Sequence, residues 1–187
     1  MTLEQLNGLS DDEARNALAR CCGSRRWLDG MLAARPFRDH RALRDAADRA
    51  ERPMRRADWL EAFAQHPRIG DLETLRSRFA DTAAWAGAEQ RGTIGASETT
   101  LRALSAGNRD YERRFGHPFI VCATGRGADE MLAMLRERLA HDPGLELEVA
   151  AGEQSRITRL RLDKLLVAET PPGGPSEAGS HPHGERT

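Results

Sequence analysis

Only the run Pro118-Phe119-Ile120-Val121-Cys122-Ala123 has the apolar, β-branched make-up of a buried strand, and no second segment of similar quality exists to pair with it. A sheet therefore has nothing to be built from. The run reads instead as a buried extended segment or the start of a helix, and the rest of the chain has to supply the architecture.

That rest is helical in its spacing. Ser10-Asp11-Asp12-Glu13 is a capping box, and Ala14, Ala17, Leu18 and Cys21 follow at intervals of three and four, which predicts a helix over about 11–22. Gly23-Ser24 stops it and starts another with Trp27, Leu28, Met31 and Leu32 in a stripe that ends at Pro36. Leu43, Ala46, Ala47 and Ala50 mark one side of a helix over about 39–51, closed by Pro53. Asp58 is expected to cap a short helix carrying Trp59, Leu60 and Phe63, which Pro67 ends because it pushes residue 66 out of the α region.

Short helices are expected around 71–80 and 83–91, and a longer one over 98–115, with Glu98-Arg102 and Asp110-Arg114 as exposed i,i+4 pairs. Gly125 and Gly127 lead into a helix over about 128–140 that Asp142-Pro143-Gly144 breaks, and a last helix spans about 145–168. The Pro, Gly, Ser and His composition after residue 170 cannot build a core. The expectation is an all-α, single-domain multi-helix bundle over 1–168, with a disordered tail over 169–187.

At 187 residues the chain is long enough for one sizeable core. A formal net charge of -1 argues against a nucleic-acid partner. The cations are almost all Arg, with Lys164 the sole lysine. Cys21, Cys22 and Cys122 are an odd set with no metal-site spacing, which fits free thiols in a reducing compartment. No window is long and apolar enough for a membrane span, so a soluble, cytoplasmic protein is expected.

Against this background three polar clusters stand out. His66-Pro67-Arg68-Ile69-Gly70 joins an imidazole and a guanidinium at a turn; Glu89-Gln90 adds a carboxylate and an amide; Arg126 follows the apolar run. Acid, base and anion-binding groups together suggest a site for a small anionic substrate. His66 is placed at a helix C-terminus, where the dipole is expected to favour the imidazolium. Each residue also has an ordinary reading. A lone His before Pro is usually a helix-end polar group, His117-Pro118 is read as structural, Cys21-Cys22 as core filling, and Arg68 as a surface charge.

The pieces that carry a family resemblance stand in order: Cys22-Gly23-Ser24 with Trp27 and Met31, Arg35-Pro36-Phe37, Asp58-Trp59-Leu60, and His66-Pro67-Arg68-Ile69-Gly70. Trp85 with Glu89-Gln90, Asn108 with Tyr111, Phe115-Gly116, Phe119 to Arg126, and Ile157-Thr158-Arg159-Leu160 complete them. With these the chain, from about Leu9 to Leu166, resembles the decarboxylases of 2-oxo-4-hydroxy-4-carboxy-5-ureidoimidazoline (OHCU), which complete urate oxidation by making (S)-allantoin.

The resemblance implies an all-helical, cofactor-free homodimer acting on a small anionic ureidoimidazoline. By it, His66 moves a proton at the substrate ring and Glu89 is its carboxylate counterpart. Gln90 serves the ring amide, Pro67 walls the pocket, and Arg126 is the candidate for the substrate carboxylate. Backbone groups of Phe119, Ile120, Val121, Cys122 and Ala123 match the segment that contacts the ligand. Ala86 stands where many relatives carry Ser, so one hydroxyl contact is lost here. The alternative is a helical protein-interaction module without activity, in which the apolar stripes seek a partner and the polar clusters scatter. Convergence of His66, Glu89 and Arg126 on one concave pocket separates the two.

Overall fold

Side-chain caps set most of the helix boundaries. In the computed structural model, which describes residues 1–66, 72–73, 75–77 and 97–166, Thr2 and Gln5 form a capping box that opens α1 (Leu3–Gly8), an element the apolar periodicity did not announce. Ser10 and Glu13 do the same for α2 (Asp11–Ala19). The Ser24 hydroxyl accepts from the Trp27 amide to open α3 (Arg25–Ala33), and Asp39 accepts from Ala42 at 2.6 Å to open α4 (His40–Glu51). The second and third helices thus stop two to three residues short of the ends expected from pattern alone.

Asp58 is not the cap of α5 (Arg56–Ala64), as expected; it sits at the third helical position and its carboxylate reaches back to accept the Arg55 amide at 2.8 Å. α6 (Glu98–Phe115) has the bounds read from the sequence. It closes on Gly116, whose φ of 78° is left-handed and open to glycine at no steric cost. Of its two expected ion pairs, Glu98–Arg102 forms at 3.0 Å, whereas Asp110 takes Arg113 instead and Arg114 turns to the His141 carbonyl. α7 (Ala128–Arg138) follows, and then α8 (Pro143–Leu165), started by Asp142 with Pro143 at the first turn. The triplet Asp142-Pro143-Gly144 therefore opens a helix as well as ending one.

Among the described residues there is no strand; the fold is all-α. Residues 72–73 and 75–77 are helical. The expected helix over 83–91, Pro67, Arg68, Trp85, Ala86, Glu89, Gln90 and the tail beyond residue 166 lie outside the described residues.

Two apolar clusters organise the molecule. The first joins Leu6, Leu18, Trp27, Met31, Leu43, Phe63 and Leu162 from α1 to α5 and α8; the second joins Leu104, Tyr111, Phe115, Met131 and Leu135 from α6 and α7. α3 lies against α4 at close range, because a Cβ on Gly30 would stand 2.8 Å from that of Ala50. Each large side chain buried this way contributes about 1.5–3 kcal/mol.

The run 118–123 is extended and passes between the clusters. With the side-to-side alternation of a strand, Ile120 enters the first cluster while Phe119 and Val121 enter the second. A buried ion network ties it to the helices. Arg138, 3% exposed, donates from Nε to Glu146 Oε1 at 2.9 Å and from Nη1 to the Ile120 carbonyl at 2.7 Å. The fully buried Glu146 also accepts from the Tyr111 hydroxyl and lies 2.8 Å from His141 Nδ1. The Arg138 guanidinium stacks 4.6 Å from the Phe119 ring centre.

Removing one partner of such a pair leaves an uncompensated buried charge. Glu146→Ala is expected to cost about 3–5 kcal/mol in urea unfolding, while Glu98→Ala, which breaks exposed pairs with Arg76 and Arg102, moves the midpoint little.

Candidate functional site

An extended backbone with no neighbouring strand must find other partners for its polar groups. Here side chains provide them. Glu153, 5% exposed, accepts the Cys122 amide at 2.7 Å, and Arg126 Nε donates to the Cys122 carbonyl at 3.1 Å. Arg138 holds the Ile120 carbonyl. The sequence reading assigned ligand contact to the backbone amides of this run; the amide of Cys122 is already committed to Glu153.

The run borders a cavity of about 370 Å³, a size suited to a small molecule. His66 enters it from the end of α5, and Phe119, Val121, Cys122 and Ala123 line it from the run. α8 adds Ile157, Leu160, Arg161 and Lys164. So His66 and four of the five expected residues of the run meet at one site. Ile120 does not join them: it is 0% exposed and faces the first cluster. Arg126 also stands apart from the described lining. Its guanidinium is held by Glu130, the Cys122 carbonyl and the Met134 sulfur. Pro67, Glu89 and Gln90 fall outside the described residues.

The described cations that line the cavity are Arg161 and Lys164, neither of them singled out as a site residue from the sequence. Arg161 directly follows Ile157-Thr158-Arg159-Leu160, and Lys164 is the chain's sole lysine. The signal that points to them is helical spacing: positions 157, 160, 161 and 164 share one face of α8. Arg159, within the quoted motif, pairs with Asp48 on another side.

His66 is half-buried at the C-terminal end of α5, where its amide donates to the Phe63 carbonyl at 3.0 Å. Its Nε2 lies 2.6 Å from Oε1 of the buried Gln154. Burial pushes the imidazole pKa below its ordinary 6.5, the hydrogen bond to Gln154 opposes this, and the Arg161 charge adds to it. The expectation that the imidazolium is favoured here is corrected: desolvation and a nearby cation shift the ring toward its neutral form. His117, buried among the rings of Phe63, Tyr111 and Phe115 with Nδ1 at 2.9 Å from the Pro118 carbonyl, has the structural role read for it.

Cys21 and Cys22 are buried and their thiols are pushed up to about 12 and about 11, mainly by burial, as expected of core filling. No group of three or more His, Cys, Asp or Glu among the described residues is arranged to hold a metal ion. The large apolar side chains that remain exposed among the described residues are Met1, Leu145 and Leu160. The stripes thus satisfy one another, which leaves the interaction-module reading without the unpartnered face it needs.

Burial lowers the pKa of both His66 and His117 below 6.5, so below that pH the unfolded chain binds more protons than the folded one. Stability from these two groups is complete above pH 6.5 and falls as the pH drops through their depressed native values. Urea midpoints measured from pH 8 to pH 5 are expected to decline below about 6.5, and the paired substitution His66→Gln with His117→Asn to flatten that decline.

The family model described as OHCU decarboxylase matches residues 7–163. The chain is 38% identical over 148 residues to the uric acid degradation bifunctional protein of Arabidopsis thaliana, a match covering 78% of this chain and 45% of that protein. It is 28% identical over 170 residues to the 2-oxo-4-hydroxy-4-carboxy-5-ureidoimidazoline decarboxylase of Haloferax volcanii, covering 90% of this chain and 98% of that one. A crystal structure of OHCU decarboxylase in the presence of (S)-allantoin superposes with a TM-score of 0.63 at 36% identity, covering 84% of this chain and 98% of the other. With a match spanning most of its length, and a cavity built where the resembling residues meet, this chain belongs to the OHCU decarboxylase family.

Proposed function

We propose that this chain is a cofactor-independent decarboxylase that converts OHCU to (S)-allantoin and carbon dioxide. What carries the reading is one cavity holding a neutral imidazole beside two cations, in a chain of this family.

When the carboxylate leaves, the carbon–carbon electron pair passes into the substrate's own ring C=N, and a proton then quenches the carbon. The substrate is its own electron sink, so the protein has to orient the carboxylate, balance charge and place one proton on one face. A neutral His66 is ready to accept a proton. The imidazolium it becomes stands near Arg161 and Lys164, which make it a stronger acid and favour return of the proton to the substrate. Arg161 and Lys164 take the carboxylate-binding role first given to Arg126, whose guanidinium is occupied by Glu130. Phe119 and Val121 give the flat ring an apolar wall.

Glu89, Gln90 and Pro67 keep the roles that the resemblance implies: carboxylate counterpart, ring-amide partner and pocket wall. The reading extends to a homodimer in the cytoplasm; no described helix is long and apolar enough to cross a membrane.

Generating the unstable substrate in situ from urate and following optically active allantoin by circular dichroism tests the activity. No acceleration over the spontaneous, racemic background refutes it. His66→Ala is expected to keep the helical spectrum and to lower the rate at least about 10²-fold. Arg161→Gln, which removes a charged donor from the carboxylate, should lower kcat/KM by about 10- to 10²-fold, mostly through KM.

A further inference from the structure

Gln154 lies about three turns into α8, 1% exposed, with both ends of its amide engaged. Its Nε2 donates to Thr158 Oγ1 at 3.2 Å, and its Oε1 is 2.6 Å from His66 Nε2. Thr158 is fully buried and is itself hydrogen-bonded to the Cys22 thiol. An amide oxygen only accepts. With the amino end spent on Thr158, the atom presented to His66 cannot donate, so the imidazole nitrogen facing it must carry the hydrogen.

We propose that Gln154 is a positioning residue that holds His66 as the Nε2–H tautomer and so commits Nδ1 to exchanging the proton with the occupant of the cavity. The inference rests on the reading of His66 as the residue that moves a proton. Two properties of the pair support it. A buried carboxylate in place of the amide would favour a permanent imidazolium, whereas the uncharged amide orients the ring and leaves it neutral. Thr158, one turn further along α8, accepts from the amino end inside the core, so this orientation of the amide does not depend on solvent.

Among the described residues, the charged and titratable groups around His66 are Cys122 of the run with Arg161 and Lys164 of α8, which border the larger cavity, and Glu112 of α6 with His117, which border a smaller one of about 180 Å³ on which His66 also opens. Among the described residues, the Gln154 contact is the one direct hydrogen bond that distinguishes the two ring nitrogens.

The test is nitrogen NMR of the full chain labelled in its histidines, with His66 assigned by His66→Gln. Above the imidazole pKa the wild-type ring should show a protonated Nε2 with an exchange-protected hydrogen and an unprotonated Nδ1. Gln154→Met should remove that protection and reduce kcat at least about tenfold, with less change in KM. Gln154→Glu keeps an acceptor but adds charge. It should raise the His66 titration midpoint by about one pH unit or more and carry the acid limb of kcat/KM with it. A role confined to packing would lower the melting temperature and leave the titration in place.

An Nδ1–H tautomer in the wild-type protein, or a His66 midpoint indifferent to Gln154→Glu, overturns the proposal. The expected NMR pattern in a chain that does not accelerate allantoin formation would uphold the Gln154 assignment and refute the decarboxylase reading.

Discussion

The structure depends on how one extended stretch, residues 118–123, satisfies its backbone without a neighbouring strand. Exposed to solvent it would need no help, but it runs between two apolar clusters, where an unpaired amide or carbonyl costs about 1–3 kcal/mol. Three side chains from different places answer that need: Arg138 at the Ile120 carbonyl, Glu153 at the Cys122 amide and Arg126 at the Cys122 carbonyl. Two of these would be costly if isolated at such depth, and each is paired, Arg138 with Glu146 and Glu153 with Arg156. The run can therefore keep a fixed position and offer one edge to a cavity. A helix in its place would have satisfied its own backbone and needed none of these charges.

The same arrangement explains the electrostatics of His66. Burial withdraws water from the imidazole beside the cavity, and Arg161 adds a repulsive charge, so the neutral form is favoured. An anion entering the cavity would reverse the second effect, since a carboxylate between the ring and the cations raises the proton affinity of the ring as it neutralises theirs. In the proposed reaction, substrate binding and proton affinity are coupled in this way, so that the substrate would strengthen His66 as a base.

What the sequence reveals follows from how local each signal is. α6 has the bounds that its caps and stripe predict, because Ser97 and Gly116 act within one turn of the helix they delimit. α1 escaped notice because six residues with one buried side chain show no periodicity, and only the Thr2 and Gln5 box marks them. Asp58 was a plausible cap in type and nearly in place, but a carboxylate that reaches back from the third position looks the same in one dimension. At the site, His66 was visible through the dipeptide with Pro67, and the run through its composition. Gln154 was not, because its meaning lies in a partner 88 residues away. Arg126 illustrates the converse: a cation beside the right segment in sequence that folds back onto Glu130 four residues on.

α8 resolves the tension between a site that needs several polar groups and a core that tolerates few. Residues 154, 157, 158 and 161 lie on one face at the intervals of a helical stripe, so a single rigid element sets Gln154, Thr158 and Arg161 relative to one another. Leu162 faces the first cluster from a neighbouring strip of surface. A third strip is clamped to α4 by Arg159 with Asp48, Asp163 with Arg44 and Ser155 with Glu51. Each exposed clamp is weak alone. Spread over nine residues of one helix, they resist the rotation about its axis that would swing Arg161 away from His66. The precision of the site is thus carried by the side of α8 turned away from the cavity.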